Sequence, residues 1–181
     1  MGSSKTANSL HMDFITRYHS PLGAMTLASD GERLIGLWFD GQRHFAATLN
    51  AMHEPRPTLP IFDITRRWLD AYFSGKMPDF TPPIRLRATP FRTAVCHMLL
   101  NIGYGETTTY GTLAQRYACE HGLPHFSAQA VAGAVANNPI SLIIPCHRVV
   151  GADGSLTGYA AGLHVKEQLL LLEANGKLQT R

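Results

Sequence analysis

Apolar and polar positions alternate in short runs near the start of the chain. Phe14–Tyr18, Met25–Ala28 and Leu34–Phe39 are separated by Ser20-Pro-Leu-Gly23 and by Asp30-Gly31. Period-two runs punctuated by turn residues predict an antiparallel meander. The period then lengthens: Ile64, Trp68, Ala71 and Tyr72 follow the i, i+4, i+7, i+8 spacing of an amphipathic helix, with Asp63 placed to cap it and Gly75 to stop it. A proline-rich connector, Lys76–Pro83, comes next and marks a domain boundary near residue 80.

Beyond the connector the pattern turns helical. Thr89-Pro90 reads as a cap followed by proline at the first helical position, and Phe91, Val95, Met98, Leu99 and Ile102 make one apolar stripe ended by Gly103. A second helix starting at Thr108 or Thr109 would bury Tyr110, Leu113, Ala114 and Tyr117. A third, from Ser127 to Asn137, would turn Ala128, Val131, Ala132 and Val135 inward, with Gly133 permitting close approach of a neighbouring helix. Two short helices joined by a turn resemble a helix-turn-helix. A β-branched run, Ile143-Ile144, reads as a strand delivering Pro145 and then Cys146-His147.

Composition narrows the classes. In 181 residues, 16% charged and 45% hydrophobic with eight Phe and six Tyr, there is ample apolar surface to bury, which excludes disorder. The longest apolar runs fall far short of the roughly 20 residues that cross a bilayer, so no membrane span is expected. The net charge of +3 divides into +2 for residues 1–87 and +1 for the remainder, too little for nonspecific nucleic-acid binding. Three widely spaced cysteines, Cys96, Cys119 and Cys146, form no disulfide framework, and a reducing cytoplasm is the expected compartment. Residues 1–11 read as an expression leader ending before a second start at Met12.

Chemistry concentrates in the segment Asn137–Gly151. A lone cysteine is most often a small buried hydrophobe. Here Pro145 fixes its own φ and donates no N–H, so Cys146 stands at a rigid departure from repetitive structure, and His147 supplies a base or cation able to draw the thiol toward thiolate. Glu173, at the end of the last amphipathic helix, is a candidate to orient the histidine; it could equally be a solvated helix residue.

The ordered set Thr89-Pro-Phe-Arg92, Gly105-Glu106, Thr109-Tyr110, Ala130-Val131, Asn138-Pro139, Pro145-Cys-His-Arg-Val-Val150, Gly158-Tyr159 and Lys166-Glu167 resembles the O6-alkylguanine-DNA alkyltransferases, and Ser20-Pro-Leu-Gly23 extends the likeness weakly upstream. The resemblance implies an α+β fold. A small N-terminal α/β domain, RNase H-like, would span residues 12–80, a linker 81–88, and a mostly helical, winged helix-turn-helix-like domain 89–181. It also implies a single-use repair protein that flips O6-alkylguanine, or O4-methylthymine, out of duplex DNA and keeps the alkyl group on its own cysteine. By the same resemblance, Cys146 is the acceptor and His147, held by Glu173 and working through a water, takes its proton. Asn138 braces the active-site turn. Tyr110 serves the guanine ring nitrogen, the carbonyls of Cys146 and Val149 read the exocyclic amine, Ala160 N–H faces the O6 oxygen, and Tyr159 helps form the lid. Thr109, Ser127, Ala128 and Gln129 would meet DNA. No cofactor and no metal are expected, since no cysteine precedes Cys96 to supply the structural zinc of some relatives, and the expected state is a monomer.

The chain departs from the family pattern where it would enter the duplex. Gln129 stands where the family usually places an arginine finger, Ala136 replaces a second basic residue of some relatives, and Ser127–Asn137 carries no charged side chain. The link Ala118–Phe126 is several residues longer than the family norm, Cys96 takes the place of a frequent tryptophan, and Gly103 that of a frequent proline. Two other classes fit parts of the pattern: a lesion-binding module that does not react, and a Cys–His hydrolase, for which no oxyanion-hole loop is recognisable.

Overall fold

The computed structural model describes residues 12–179, so the leader expected at residues 1–11 lies outside the described residues. β1 (Asp13–Ser20), β2 (Gly23–Ser29) and β3 (Leu34–Phe39) form the expected antiparallel meander. A fourth strand that the pattern did not announce, β4 (His53–Pro55), pairs parallel to β1, giving the order β3-β2-β1-β4. The turns follow from side-chain chemistry. Ser20 Oγ bonds the Gly23 carbonyl at 2.7 Å, and Asp30 Oδ1 accepts from the backbone N–H of Glu32 and Arg33, an Asx-type turn. Gly36 is obligatory for packing, because a Cβ there would lie 1.8 Å from the buried Trp38 ring.

Helix α1 (Pro60–Phe73) starts earlier than the sequence suggests. Leu59 is its N-cap and Pro60 its first residue, while Asp63 lies inside the first turn and bonds Arg66 instead of capping. Proline at the first position has no N–H that needs an acceptor, and the Leu59 carbonyl takes the Phe62 N–H at 2.9 Å in place of a side-chain cap. The buried face is Ile61, Phe62, Thr65, Trp68, Leu69 and Tyr72. At its end Gly75, at φ 81°, packs against the Gly176 backbone so closely that a Cβ would sit 1.9 Å from the Gly176 carbonyl oxygen. The last turn of α1 therefore abuts the end of the final helix.

The connector is also structural. On the free edge of β3, Leu34 N–H donates to the Pro83 carbonyl at 2.9 Å and Arg85 N–H to the Leu34 carbonyl at 2.8 Å. Arg87 grips the fully buried Asp13 of β1 with both terminal nitrogens, at 2.6 and 2.8 Å. One hydrophobic cluster runs from Leu27, Phe62 and Tyr72 through Val95, Val131 and Ile144 to Leu172, without a break at residue 80.

In the second half, α2 (Pro90–Leu100) is capped by Thr89, whose side chain accepts from Arg92 N–H. Next come β5 (Thr108–Thr109), α3 (Tyr110–Glu120), capped by Thr109, and α4 (Ala128–Ala136), capped by Ser127. The inward face of α4 is Val131, Ala134 and Val135; Ala128 is exposed. Gly133 faces open space with no atom within 4 Å of a Cβ, so it permits no close helix approach. Its presence on an exposed face has no packing reason in this fold. The segment expected to be a strand at Ile143-Ile144 is a series of turns, with Leu142 at φ 69°. Its carbonyls are taken locally: Ile140 O by Ile144 N–H, Ser141 O by Ile143 N–H and Ile144 O by Cys146 N–H. β-branching alone did not determine its conformation. A short 3-10 turn (Cys146–Arg148) leads into β6 (Val149–Val150), which pairs parallel with β5, and α5 (Leu163–Asn175) closes the fold. Among the described residues, no helix is long and apolar enough to cross a membrane.

Candidate active site

The free edge of β3 holds the segment that precedes Cys146. Leu37 N–H donates to the Pro139 carbonyl and Ser141 N–H to the Leu37 carbonyl, both at 2.9 Å. The N-terminal sheet is thus continuous with the approach to the cysteine. Asn138 organises the turn from within: its Oδ1 accepts from Ile140 N–H at 3.0 Å, and its Nδ2 donates to the Ile144 carbonyl at 2.8 Å and to Cys146 Sγ at 3.1 Å. A single buried amide ties three points of an irregular loop and presents a donor to the sulfur.

Cys146 lies on the wall of a pocket of about 220 Å³. Small residues Ala132, Ala136, Gly158 and Ala160 line much of it, with Val135, Tyr110 and Tyr159 contributing the larger apolar surfaces and Arg43 of the N-terminal half at the wall. The Arg43 backbone N–H donates to the Ala160 carbonyl at 3.0 Å, so the residue is tied to the segment beside the cysteine. Tyr110 hydroxyl donates to the Thr157 carbonyl at 3.3 Å. Lys166, buried along its length, donates from Nζ to the carbonyls of Val149 (2.6 Å), Thr157 (2.7 Å) and Gly158 (3.3 Å), binding the loop that carries Tyr159 to β6.

Behind Cys146 lies a buried ionic network. His147 Nε2 is 2.6 Å from Glu173 Oε1, and both side chains are inaccessible to solvent. Arg148 bonds the same carboxylate twice, Nε to Oε2 at 2.9 Å and Nη2 to Oε1 at 3.0 Å, and reaches the Ile102 carbonyl with Nη1. Gly105 N–H donates to Oε2 at 3.0 Å and Tyr72 hydroxyl to Oε1 at 2.7 Å. A buried carboxylate is tolerable only with this density of donors. Despite burial, the contacts to His147 and Arg148 hold Glu173 down from the usual 4.5 to about 2. With Nε2 engaged by Glu173, His147 Nδ1 is buried and has no partner among the described residues.

Burial dominates the protonation of the reactive pair. It raises the Cys146 thiol, against the opposing effects of Asn138, the Lys166 charge and the backbone N–H groups of Cys146 and His147. It lowers His147, against the pull of Glu173. The resting pair is therefore a thiol beside a neutral imidazole, in which the histidine is free to accept a proton. Cys96, also buried, is pushed up to about 12 and has no such base.

The structure brings Cys146, His147, Glu173 and Asn138 together, and Cys146, Asn138, Tyr110, Tyr159 and Ala160 share the pocket wall. Val149 lies off that wall, fully buried, with its carbonyl occupied by Lys166. Ser127, Ala128 and Gln129 form the exposed start of α4, and Thr109 caps α3. Sequence reasoning assigned no role to Tyr72, Arg148, Lys166 or Arg43. Arg148 stands next to His147 in the motif and could have been noticed as a partner for Glu173. Tyr72 offered no local signal, being one more apolar position of α1. Among the described residues, no group of three or more His, Cys, Asp or Glu is placed to hold a metal ion.

Fold and site together define a cysteine-centred protein with a helix-turn-helix beside its pocket, and the comparisons with known proteins agree. Residues 14–86 match the ribonuclease-like domain of 6-O-methylguanine DNA methyltransferase, and residues 90–175 match its DNA-binding domain. The chain is 38% identical over 161 residues to a methylated-DNA–protein-cysteine methyltransferase of Haemophilus influenzae, covering 88% of this chain and 86% of the relative. It is 39% identical over 158 residues to one of Methanosarcina acetivorans, covering 87% and 96%. A crystal structure of Mycobacterium tuberculosis OGT in complex with DNA superimposes with a TM-score of 0.78 at 38% identity, over 92% of this chain and 95% of that one. The chain belongs to the 6-O-methylguanine DNA methyltransferase family.

Proposed function

We propose that this protein repairs DNA by taking the alkyl group from the O6 oxygen of a flipped-out guanine, or the O4 oxygen of thymine, onto Cys146, once per chain. The observation that carries the reading is the placement of Cys146 Sγ on the pocket wall, 3.1 Å from Asn138 Nδ2, next to a His147–Glu173 pair separated by 2.6 Å. His147 takes the thiol proton through a water, and the thiolate attacks the alkyl carbon. The S–C bond forms as the C–O6 bond breaks, and the electron pair leaves with guanine, whose ring takes up a proton equivalent to the one lost by the thiol. Tyr110 hydroxyl assists at the ring nitrogen, Ala160 N–H faces the oxygen, the Cys146 carbonyl faces the exocyclic amine, and Tyr159 closes the pocket; Val149, off the pocket wall with its carbonyl bonded to Lys166, takes no part in reading the base. The reaction consumes the nucleophile, so no cofactor takes part.

Thr109, Ser127, Ala128 and Gln129 contact the duplex in this reading, with α4 as the recognition helix and Gln129 filling the space left by the extruded base. Residues 12–80 and 89–181 act as two domains joined by the 81–88 linker, in a monomer working in the cytoplasm. The test is incubation with a duplex carrying O6-methylguanine followed by intact-mass and peptide mass spectrometry. One stable methyl per chain on Cys146 is expected. Binding without an adduct would make the protein a lesion-binding module, and repeated turnover a hydrolase.

A further inference from the structure

Tyr72 belongs to α1 in the N-terminal half, yet its hydroxyl ends in the ionic network behind Cys146, 101 residues from Glu173 along the chain. The side chain is fully buried, its ring stacked on Trp68 with centroids 5.2 Å apart and set edge-on to Phe73 and Tyr104. Packing of this kind leaves the hydroxyl little freedom. It donates to Glu173 Oε1 at 2.7 Å and lies 3.3 Å from His147 Nε2. Oε1 therefore receives Tyr72, His147 and one nitrogen of Arg148. A carboxylate oxygen shared among donors is a weaker base toward each of them.

We propose that Tyr72 is a positioning residue for alkyl transfer: its hydroxyl shares Glu173 Oε1 with His147 and limits how strongly the carboxylate holds a proton on the imidazole. The N-terminal domain thereby tunes a reaction whose nucleophile lies in the other domain. The inference rests on His147 being the proton acceptor. The other groups facing the pair all favour a neutral histidine or are themselves neutral. Arg148, from the 3-10 turn, and Lys166, from α5, are cations that oppose a second positive charge. Tyr104, before β5, and Tyr159, in the loop after β6, are phenols pushed up by burial, as is Tyr72 itself. Burial raises the Cys146 thiol as well. Glu173 is the anion of the set, so the number of donors on it governs the imidazole.

Tyr72→Phe keeps the ring and removes one donor. Glu173 then pulls harder on the His147 proton, the imidazole stays protonated to higher pH, and a protonated imidazole cannot accept from Cys146. The acid limb of the alkyl-transfer rate is expected to move up by about one pH unit, the tenfold worth of one charge-assisted hydrogen bond, with the rates converging as pH rises. The His147 imidazole, followed by ¹⁵N NMR, is expected to titrate higher by the same amount, and in a Glu173→Gln background Tyr72→Phe is expected to add no shift. Trp68→Phe disturbs the packing of the same ring without removing the hydroxyl and is expected to leave the limb in place. In the unaltered chain, the Tyr72 hydroxyl proton is expected as a slowly exchanging resonance close in space to His147. Coincident titrations of Tyr72→Phe and the parent chain would overturn the proposal, as would an equal shift in Trp68→Phe or absence of the protected hydroxyl proton. Because the NMR titration needs no alkyl transfer, failure to methylate Cys146 would count against the proposed function and leave the test of Tyr72 intact.

Discussion

Two regions of the molecule, the network behind Cys146 and the start of α4, are built under opposite constraints. Behind Cys146, Asn138, His147, Arg148 and Glu173 are buried, and Glu173 alone accepts from Tyr72, His147, Arg148 and the Gly105 backbone. At the start of α4, the helix whose later residues Ala132, Val135 and Ala136 line the pocket, Ser127, Ala128 and Gln129 are exposed, and no side chain from Ser127 to Asn137 is charged. In the buried network, removing one partner leaves a charge without compensation, so each residue constrains the next. On the exposed start of α4 a side chain is hydrated whatever it is, and only its partner in solution constrains it.

The comparison is tested hardest at Cys146. Cys146→Ala is expected to abolish alkyl transfer while the chain still folds, and peptide mapping of the parent protein should find no methyl on Cys96 or Cys119. An adduct on either would dissolve the distinction between the activated cysteine and the other two.

Next in size is the network. His147→Ala and Glu173→Gln are expected to slow transfer by about 10²- to 10⁴-fold, the usual worth of a general base, and to change DNA affinity far less. Stability should register the same network. Glu173 is held down from 4.5 to about 2 and His147 below 6.5, so both bind protons more readily unfolded than folded. Each contributes stability that is full above its ordinary value and is lost as pH falls through its folded value. Urea midpoints are therefore expected to decline first below about 6.5 and more steeply between about 4.5 and 2, and Glu173→Gln should flatten the lower window. A midpoint independent of pH across that window would show that the buried carboxylate is not held as an anion.

The exposed face should respond more mildly. Replacing a neutral hydrogen bond by a charge-assisted one adds roughly 1 kcal/mol, so Gln129→Arg is expected to speed repair of duplex DNA about fivefold and leave reaction with the free alkylated base nearly unchanged. The free base needs no extrusion, which separates flipping from chemistry. An unchanged or slower duplex rate would remove Gln129 from the role of finger. Smallest is the cap: Ser127 Oγ accepts from Ala130 N–H at 3.2 Å, and Ser127→Ala should cost about 1 kcal/mol by denaturant titration, with transfer to the free base unaffected.

What could be read in the linear chain was whatever a local pattern forces. Alternation specified the meander, Thr89-Pro90 and Ser127 specified helix starts through their own hydrogen bonds, and Pro145-Cys-His-Arg148 marked the reactive segment. Where local signals conflicted, tertiary contacts decided. The β-branched Ile143-Ile144 became turns, because Asn138 and the edge of β3 take the hydrogen bonds of the segment around it. Helix α1 began at Pro60 ahead of Asp63, so that Ile61 and Phe62 could be buried. The connector became an added edge to the sheet through Leu34. The environment of Glu173 was the least accessible to sequence reasoning, since its donors come from Tyr72 of α1, Gly105 ahead of β5, and His147 and Arg148 of the 3-10 turn, all far from it along the chain. Spacing along a chain reports on neighbours within a turn or a strand, whereas a buried charge is compensated by whichever donors the packing of distant elements places around it.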